Sequence, residues 1–415
     1  MGTARADLNN PKPNGSYGIF ARWDLYKAIG APEMSGEDDF LAVLKQMQDY
    51  QPTTKDGKKV YALSAWTDWG IWPYMIMYPF SYGYGNKGDY ASVSRETGEM
   101  ESNLLKEDGV FWRGIAFYNR AYRMGIFDPE GFTMKWDQYR KKVANGEVLT
   151  SPNPNDTVNP SLTNELAAMV CLPGAFPYVN GVFPGESLIG YGNNGARAIS
   201  ASCKYPERAM QLLNYFDSDE GARLIMNGVK GVDWDVIDGK PQLIGEYLKA
   251  VQSGETAEYC KKTLIGVLSL QTTGSVLPAD NYPVDLRNTP EVAAQSATPG
   301  LKDFAKYFDS SFEYPGQAYA KLYKEGKIKT TFGTPHLGMG LMGTPSDTTN
   351  QTLSKGTQLF AANVAKFIMA KDDATFEAEK KKFIEDLKAM GYEKAFAEIL
   401  DLYEQGKQIA DKFTK

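Results

Sequence analysis

A single histidine, His336, stands among 415 residues. It leaves no His–Asp or His–Cys pair for nucleophilic catalysis, no pair of imidazoles for zinc, and little scope for a histidine proton switch. Cysteine is scarce too. Cys171, Cys203 and Cys260 lie far apart without a CxxC motif, so at most one disulfide forms and one thiol is left over, buried thiols being the simplest reading. No run of about 18 apolar residues occurs, and the richest aromatic stretch, 71–84, is broken by Pro73 and Pro79, so no segment reads as a membrane span. The opening MGTARADLNNPKPNGSYG has no apolar stretch behind a basic segment and no lipid-attachment cysteine, so this chain carries no readable export signal. A basic excess is also missing. Lys+Arg 45 against Asp+Glu 51 gives a net charge of −6, which argues against nucleic acid or anionic membranes as partners.

What is abundant is aromatic: Phe, Tyr and Trp make up 13 % of the chain, with tyrosine the commonest of the three. Tyr and Trp pair a flat apolar face with a polar edge, which suits amphipathic ligands as well as cores. A length of 415 residues exceeds what one core usually serves, so two domains or lobes are expected. Mean hydropathy of −0.41 describes an ordinary globular composition.

Helices and strands alternate along the chain. Ser35, with Asp38 three residues on, sets a capping-box-like start to a helix over 37–49, with Phe40, Leu41, Leu44 and Met47 on its apolar face. The run 60–65 reads as a short apolar strand opening into the aromatic loop 66–72. A helix is expected over 111–124 and a strand over 148–150, with a loop by composition over 150–160. The run 196–202 reads as a strand, and Tyr205-Pro206 opens a helix whose buried stripe is Ala209, Leu212, Leu213 and Phe216. Asp217 and Glu220 cap the next helix, which ends at Gly228. Four prolines make 271–300 irregular, and 357–413 is mostly helical. The whole implies an α/β fold finished by a helical hairpin or bundle.

The run from Ala198 to Gly221, followed by Asn227 to Trp234, resembles the late-lobe signature of extracellular solute-binding proteins of carbohydrate ABC transporters (family 1), in the large lipoprotein branch that handles oligosaccharides. Residues 19–32 are similar to the segment after the first hinge crossing, and 376–413 to the closing helices. The resemblance implies a two-lobed periplasmic-binding-protein-like (type II) fold, a ligand held in the cleft between lobes, ABC permease subunits as partners, a monomer, and an extracellular, membrane-anchored location. It also implies a first lobe incomplete at its N-terminus, since family members carry roughly a hundred residues more before the point where the pattern begins here. On that basis 1–16 is a remnant of lobe one or the hinge, 17–194 is lobe two, 195–345 is the second segment of lobe one, and 346–415 returns to lobe two. Related proteins often carry an acidic calcium loop before the strand at 60–65. Here 51–59 keeps only Asp56 and adds three lysines, so neither calcium nor any other metal or cofactor is expected.

Sugars present a C–H face and a rim of hydroxyls, so their sites combine aromatic platforms with planar hydrogen-bonding side chains. Trp66, Asp68 and Trp69 offer that pairing where strand becomes loop, with Trp72 reading as structural. Asp233 and Trp234 are placed by the resemblance on the other lobe, facing the cleft. Asn193 and Asn194 either turn the chain before a crossing strand or bind ligand. Arg22 either reaches the cleft floor or pairs with a carboxylate of its own lobe, and His336 is assigned no role. The expected function is reversible capture of an oligosaccharide without catalysis. The alternatives are a peptide or other non-sugar solute and, more remotely, a glycan-active enzyme using two carboxylates across a cleft.

Overall fold

Residues 60–65 alternate too little to leave one face wet: Val60, Ala62, Leu63 and Ala65 are all buried, the pattern of a strand covered on both sides. They are bridged on both edges. In the computed structural model, which describes residues 11–153, 165–183, 198–266, 277, 280, 282–331 and 337–412, Tyr61 bridges Val148 and Leu63 bridges Phe127, both in parallel. The neighbouring strand runs on into Thr150–Ser151, which pairs antiparallel with Phe20–Arg22, whose other edge takes Met169–Val170. A second, antiparallel meander is formed by Tyr84–Lys87, Ala91–Ser94 and Met100–Ser102.

Helices Glu37–Tyr50, Val110–Arg123 and Trp136–Ala144 join the closing helices Asp347–Ile368, Asp373–Ala389 and Tyr392–Asp411 around one large hydrophobic core. Polar pins fix their angles. Glu37, in the first turn of its helix, accepts from Tyr78 Oη at 2.5 Å and Tyr82 Oη at 2.7 Å and pairs with Arg120. Asn119 donates to the carbonyls of Ile368 and Ala370 at 2.9 and 2.7 Å, closing the end of a helix otherwise left with orphan acceptors.

Several local expectations shift. Ser35 turns to Asp39, not Asp38, and forms no capping box: its N and Oγ both donate to Asp39 Oδ2 at 2.9 and 2.7 Å, and Gly36 stands at the N-cap. Ser218, one residue beyond Asp217, caps the helix Asp219–Asn227 by accepting from Gly221 N. That helix does end at Gly228, at φ 83°, where a Cβ would lie 2.3 Å from Asp233 Oδ2. The described part of 196–202 forms no strand. Within 271–300, Pro290 and Pro299 are not breakers. Each sits in the first turn behind a capping threonine, Thr289 or Thr298, and opens a helix, because the N–H that proline lacks is unpaired there anyway. In the loop 51–59, Lys58 Nζ lies 3.1 Å from Glu147 and 3.6 Å from Asp56, a cation already among the carboxylates.

The segment expected to be one piece of lobe one, 195–345, divides by packing. Residues 206–266, joined by side chains from 277–292, build two small cores, around Tyr247 with Leu243 and Leu286, and around Met226 with Val284. Helices Pro299–Phe308 and Pro315–Lys324 instead bury Phe304, Ala318, Tyr319 and Leu322 in the large core. The expected stripe of helix Pro206–Phe216 is not buried: no residue of that helix is. The three cysteines are free, Cys171 buried and the others part-buried.

Candidate functional site

Where the parallel strand 60–65 ends, the chain turns through Thr67 and Gly70. Thr67 N and Oγ1 both donate to Met134 O, at 3.0 and 3.1 Å, which draws the 134–136 corner against the turn. Four rings meet there. Trp66 is 1 % exposed and its ring lies 4.6 Å from Trp136 and 4.7 Å from Tyr139, centroid to centroid. Above it Trp69, 39 % exposed, lies 4.5 Å from Trp136 at an interplanar angle of 32°. Tyr139 stacks on Trp136 at 16°. The result is a ledge of two part-exposed tryptophan rings, Trp69 and Trp136, on a buried floor of Trp66 and Tyr139. The guanidinium of Arg140 sits 5.9 Å from the Trp136 centroid. Trp66 Nε1 is buried and finds no acceptor among the described residues.

Asp68 holds the ledge together. Its Oδ1 accepts from Trp136 N at 2.9 Å, an acidic side chain at the start of the helix Trp136–Ala144, where unpaired N–H groups and the dipole favour a negative charge. So of the three residues expected to form a platform, Trp69 is displayed, Trp66 lies beneath it and Asp68 positions Trp136. Trp72, at the start of helix Trp72–Ile76, packs against the core. Trp136 and Tyr139 are not marked by the local pattern around 66–69, since they come from a helix some seventy residues on; a Trp-x-x-Tyr pair on one helical face is their signal in the sequence.

The remaining candidates are not gathered here. Arg22 is fully buried, its guanidinium forked onto Asp24 at 2.6 Å through both Nε and Nη2, the carboxylate-pairing alternative; its Nη1 has no partner among the described residues. Asp233 is 5 % exposed; it accepts from Val229 N at 2.8 Å and from Tyr259 Oη at 2.5 Å. That carboxylate pushes Tyr259 up to about 12. Trp234 Nε1 donates to Gly228 O at 3.1 Å while its ring packs on the Tyr247 core. Both therefore stabilise the turn that carries them. Asn193, Asn194 and His336 lie outside the described residues.

Among the described residues no helix is long and apolar enough to cross a membrane, and no cluster of His, Cys, Asp and Glu is arranged to hold a metal ion. No protein-family model and no curated protein matches the sequence. Solved structures do. An HMO-binding, ABC-transporter-associated solute-binding protein from Bifidobacterium longum infantis aligns over 97 % of this chain and 76 % of its own, at a TM-score of 0.62 and 12 % identity. An alginate-binding protein aligns over 95 % and 74 %, at 0.54 and 15 % identity. The Streptococcus pneumoniae ABC-transporter substrate-binding protein FusA, in complex with kestose, aligns over 95 % and 73 %, at 0.51 and 13 % identity. The chain thus spans about three-quarters of the length of these proteins, and what it shares with them is the two-lobed α/β fold of ABC-transporter solute-binding proteins.

Proposed function

We propose that this chain captures an oligosaccharide reversibly and delivers it to the permease of an ABC transporter, making and breaking no bond. The observation that carries the reading is the Trp69–Trp136 ledge, two part-exposed indole rings at the C-terminal end of a parallel strand, held by Asp68. Aromatic faces of this kind bind the C–H face of a sugar ring, and ligands of open α/β sheets sit at the carboxyl ends of strands. The kinship of fold with HMO-, alginate- and kestose-binding proteins supports the same ligand class. The reading places the protein outside the cell, anchored at the membrane, as a monomer.

Titration calorimetry of the purified chain against a panel of neutral and acidic oligosaccharides tests it, with the sugars followed by chromatography. Saturable binding with the glycan recovered unchanged is expected. Trp69→Ala and Trp136→Ala should each weaken it about ten- to a hundredfold, the effect of removing a desolvated aromatic contact. Binding of peptides in place of sugars, or turnover of a glycan that is abolished by changing one carboxylate, overturns the proposal.

A further inference from the structure

Beside the turn that carries Trp69 stands a carboxylate without a partner among the described residues. Gly70, the residue after Trp69, has φ +58°, and a Cβ placed there would lie 3.7 Å from Asp89 Oδ2. Asp89 is on the turn between Tyr84–Lys87 and Ala91–Ser94, so this turn abuts the end of the aromatic loop. Its backbone is fixed with some care. Asn103, 1 % exposed, donates from Nδ2 to Asp89 O at 3.1 Å, donates from its own N to Tyr90 O at 3.0 Å, and accepts from Ser92 Oγ at 2.7 Å. Lys87, the nearest cation in sequence, is engaged with Met339 O at 3.1 Å. Among the described residues the Asp89 carboxylate itself has neither hydrogen bond nor ion pair, although it is half-buried and burial raises its pKa. Tyr392 Oη, whose pKa is raised by burial first and by Tyr90 and Asp89 after it, is buried without a partner among the described residues.

A partly desolvated carboxylate without a protein partner costs some stability. Such groups are enriched at sites where a ligand completes them. An ionised carboxylate is an acceptor only, with two oxygens that can take two hydroxyl donors at once. Vicinal hydroxyls at the edge of a sugar ring stacked on Trp69 have that spacing, whereas an acidic sugar would bring like charges together. We propose that Asp89 is the hydroxyl-binding carboxylate of the Trp69–Trp136 ledge and selects neutral over acidic oligosaccharides. The assignment rests on the sugar-binding function proposed above.

The experiment compares the full chain with Asp89→Asn, Asp89→Ala and Trp69→Ala by calorimetric titration against paired neutral and uronate- or sialate-bearing oligosaccharides, with thermal midpoints measured for each protein. For the parent chain, affinity for the neutral member of each pair is expected to be higher. Asp89→Ala should lose about tenfold or more of that affinity, the effect of losing hydrogen bonds to a charged acceptor, and Asp89→Asn should narrow the neutral-over-acidic preference. Both variants should melt at or above the parent temperature, because the group removed is unpaired. A residue with a merely structural role would lower the midpoint and leave the preference alone. If Trp69→Ala weakens binding while both Asp89 variants keep parental affinity and selectivity, the Asp89 assignment is wrong and the sugar-binding function stands. If the parent chain binds no oligosaccharide, both fall together.

Discussion

Trp66 and Trp69 are three residues apart and do different work, which burial separates and composition does not. Trp66 is enclosed by Trp69, Trp136 and Tyr139, so Trp66→Ala opens a cavity under the ledge and should cost about 3–5 kcal/mol of stability, seen as a fall in the chemical-denaturation midpoint. Trp69→Ala should lower affinity with little loss of stability. The Asp233–Tyr259 pair makes a prediction of the opposite kind, about pH. Tyr259 is raised to about 12 by the Asp233 carboxylate, above its ordinary value near 10. The folded state therefore holds that proton more tightly than the unfolded one. Its contribution is complete below about pH 10 and is lost as pH rises toward 12. Tyr259→Phe should be less stable than the parent at neutral pH, and the gap in thermal midpoint should close across that alkaline window. A gap independent of pH would show that packing, not the hydrogen bond, is what Tyr259 supplies. These residue roles were only half legible in the sequence. The strand-to-loop position of 66–69 marked where the aromatic rings gather, but nothing local in Trp-Thr-Asp-Trp says that Asp68 reaches Trp136 N or that Arg22 turns onto Asp24.

At the scale of elements, helices with strong apolar periodicity were readable, including 37–50, 110–123 and the three closing helices, since a 3.6-residue stripe needs only the sequence. Short pieces were not. The strand expected over 60–65 exists as two isolated parallel bridges, because its partners near 127 and 148 supply pairing that no local pattern reveals. Prolines misled where they begin helices, at 290 and 299. The helix Pro206–Phe216 is the instructive case. Its apolar stripe is real in sequence, yet Met210 and Leu212 are about half exposed and Tyr205 is 70 % exposed. Val229, Val232, Val236, Ile237 and Leu264 are exposed in the same segment of chain. A run of exposed apolar residues of this size is unusual on an isolated soluble domain. Leu212→Ser should therefore change stability by less than about 0.5 kcal/mol, as a surface substitution does, while reducing binding of a hydrophobic dye and any tendency to self-associate in light scattering. A loss of several kcal/mol would mean that the stripe is covered in solution.

Across the whole molecule, stability should be uneven because the cores are. The large core draws on the sheet, the helices at 37–50 and 110–123, the two helices within 299–324 and the three closing helices. The segment 206–266 rests on a few buried side chains around Tyr247 and Met226, with Arg223 tying it to Asp280 through a pair at 2.7 Å. Buried apolar area sets most of the local opening free energy, so two-state behaviour is not expected. Hydrogen exchange resolved along the chain should show 206–266 opening at a lower free energy than 110–123 and 347–368. The helices at 299–308 and 315–324 should protect with the large core despite following the weak segment in sequence. That last contrast is the decisive one, since a boundary at residue 345 would make 299–324 exchange with 206–266. The aromatic ledge and Asp89 both belong to the strongly packed part, so a glycan bound there should raise protection around 66–70 and 87–90. Equal protection in 206–266 and 347–368 would show that the small cores suffice by themselves.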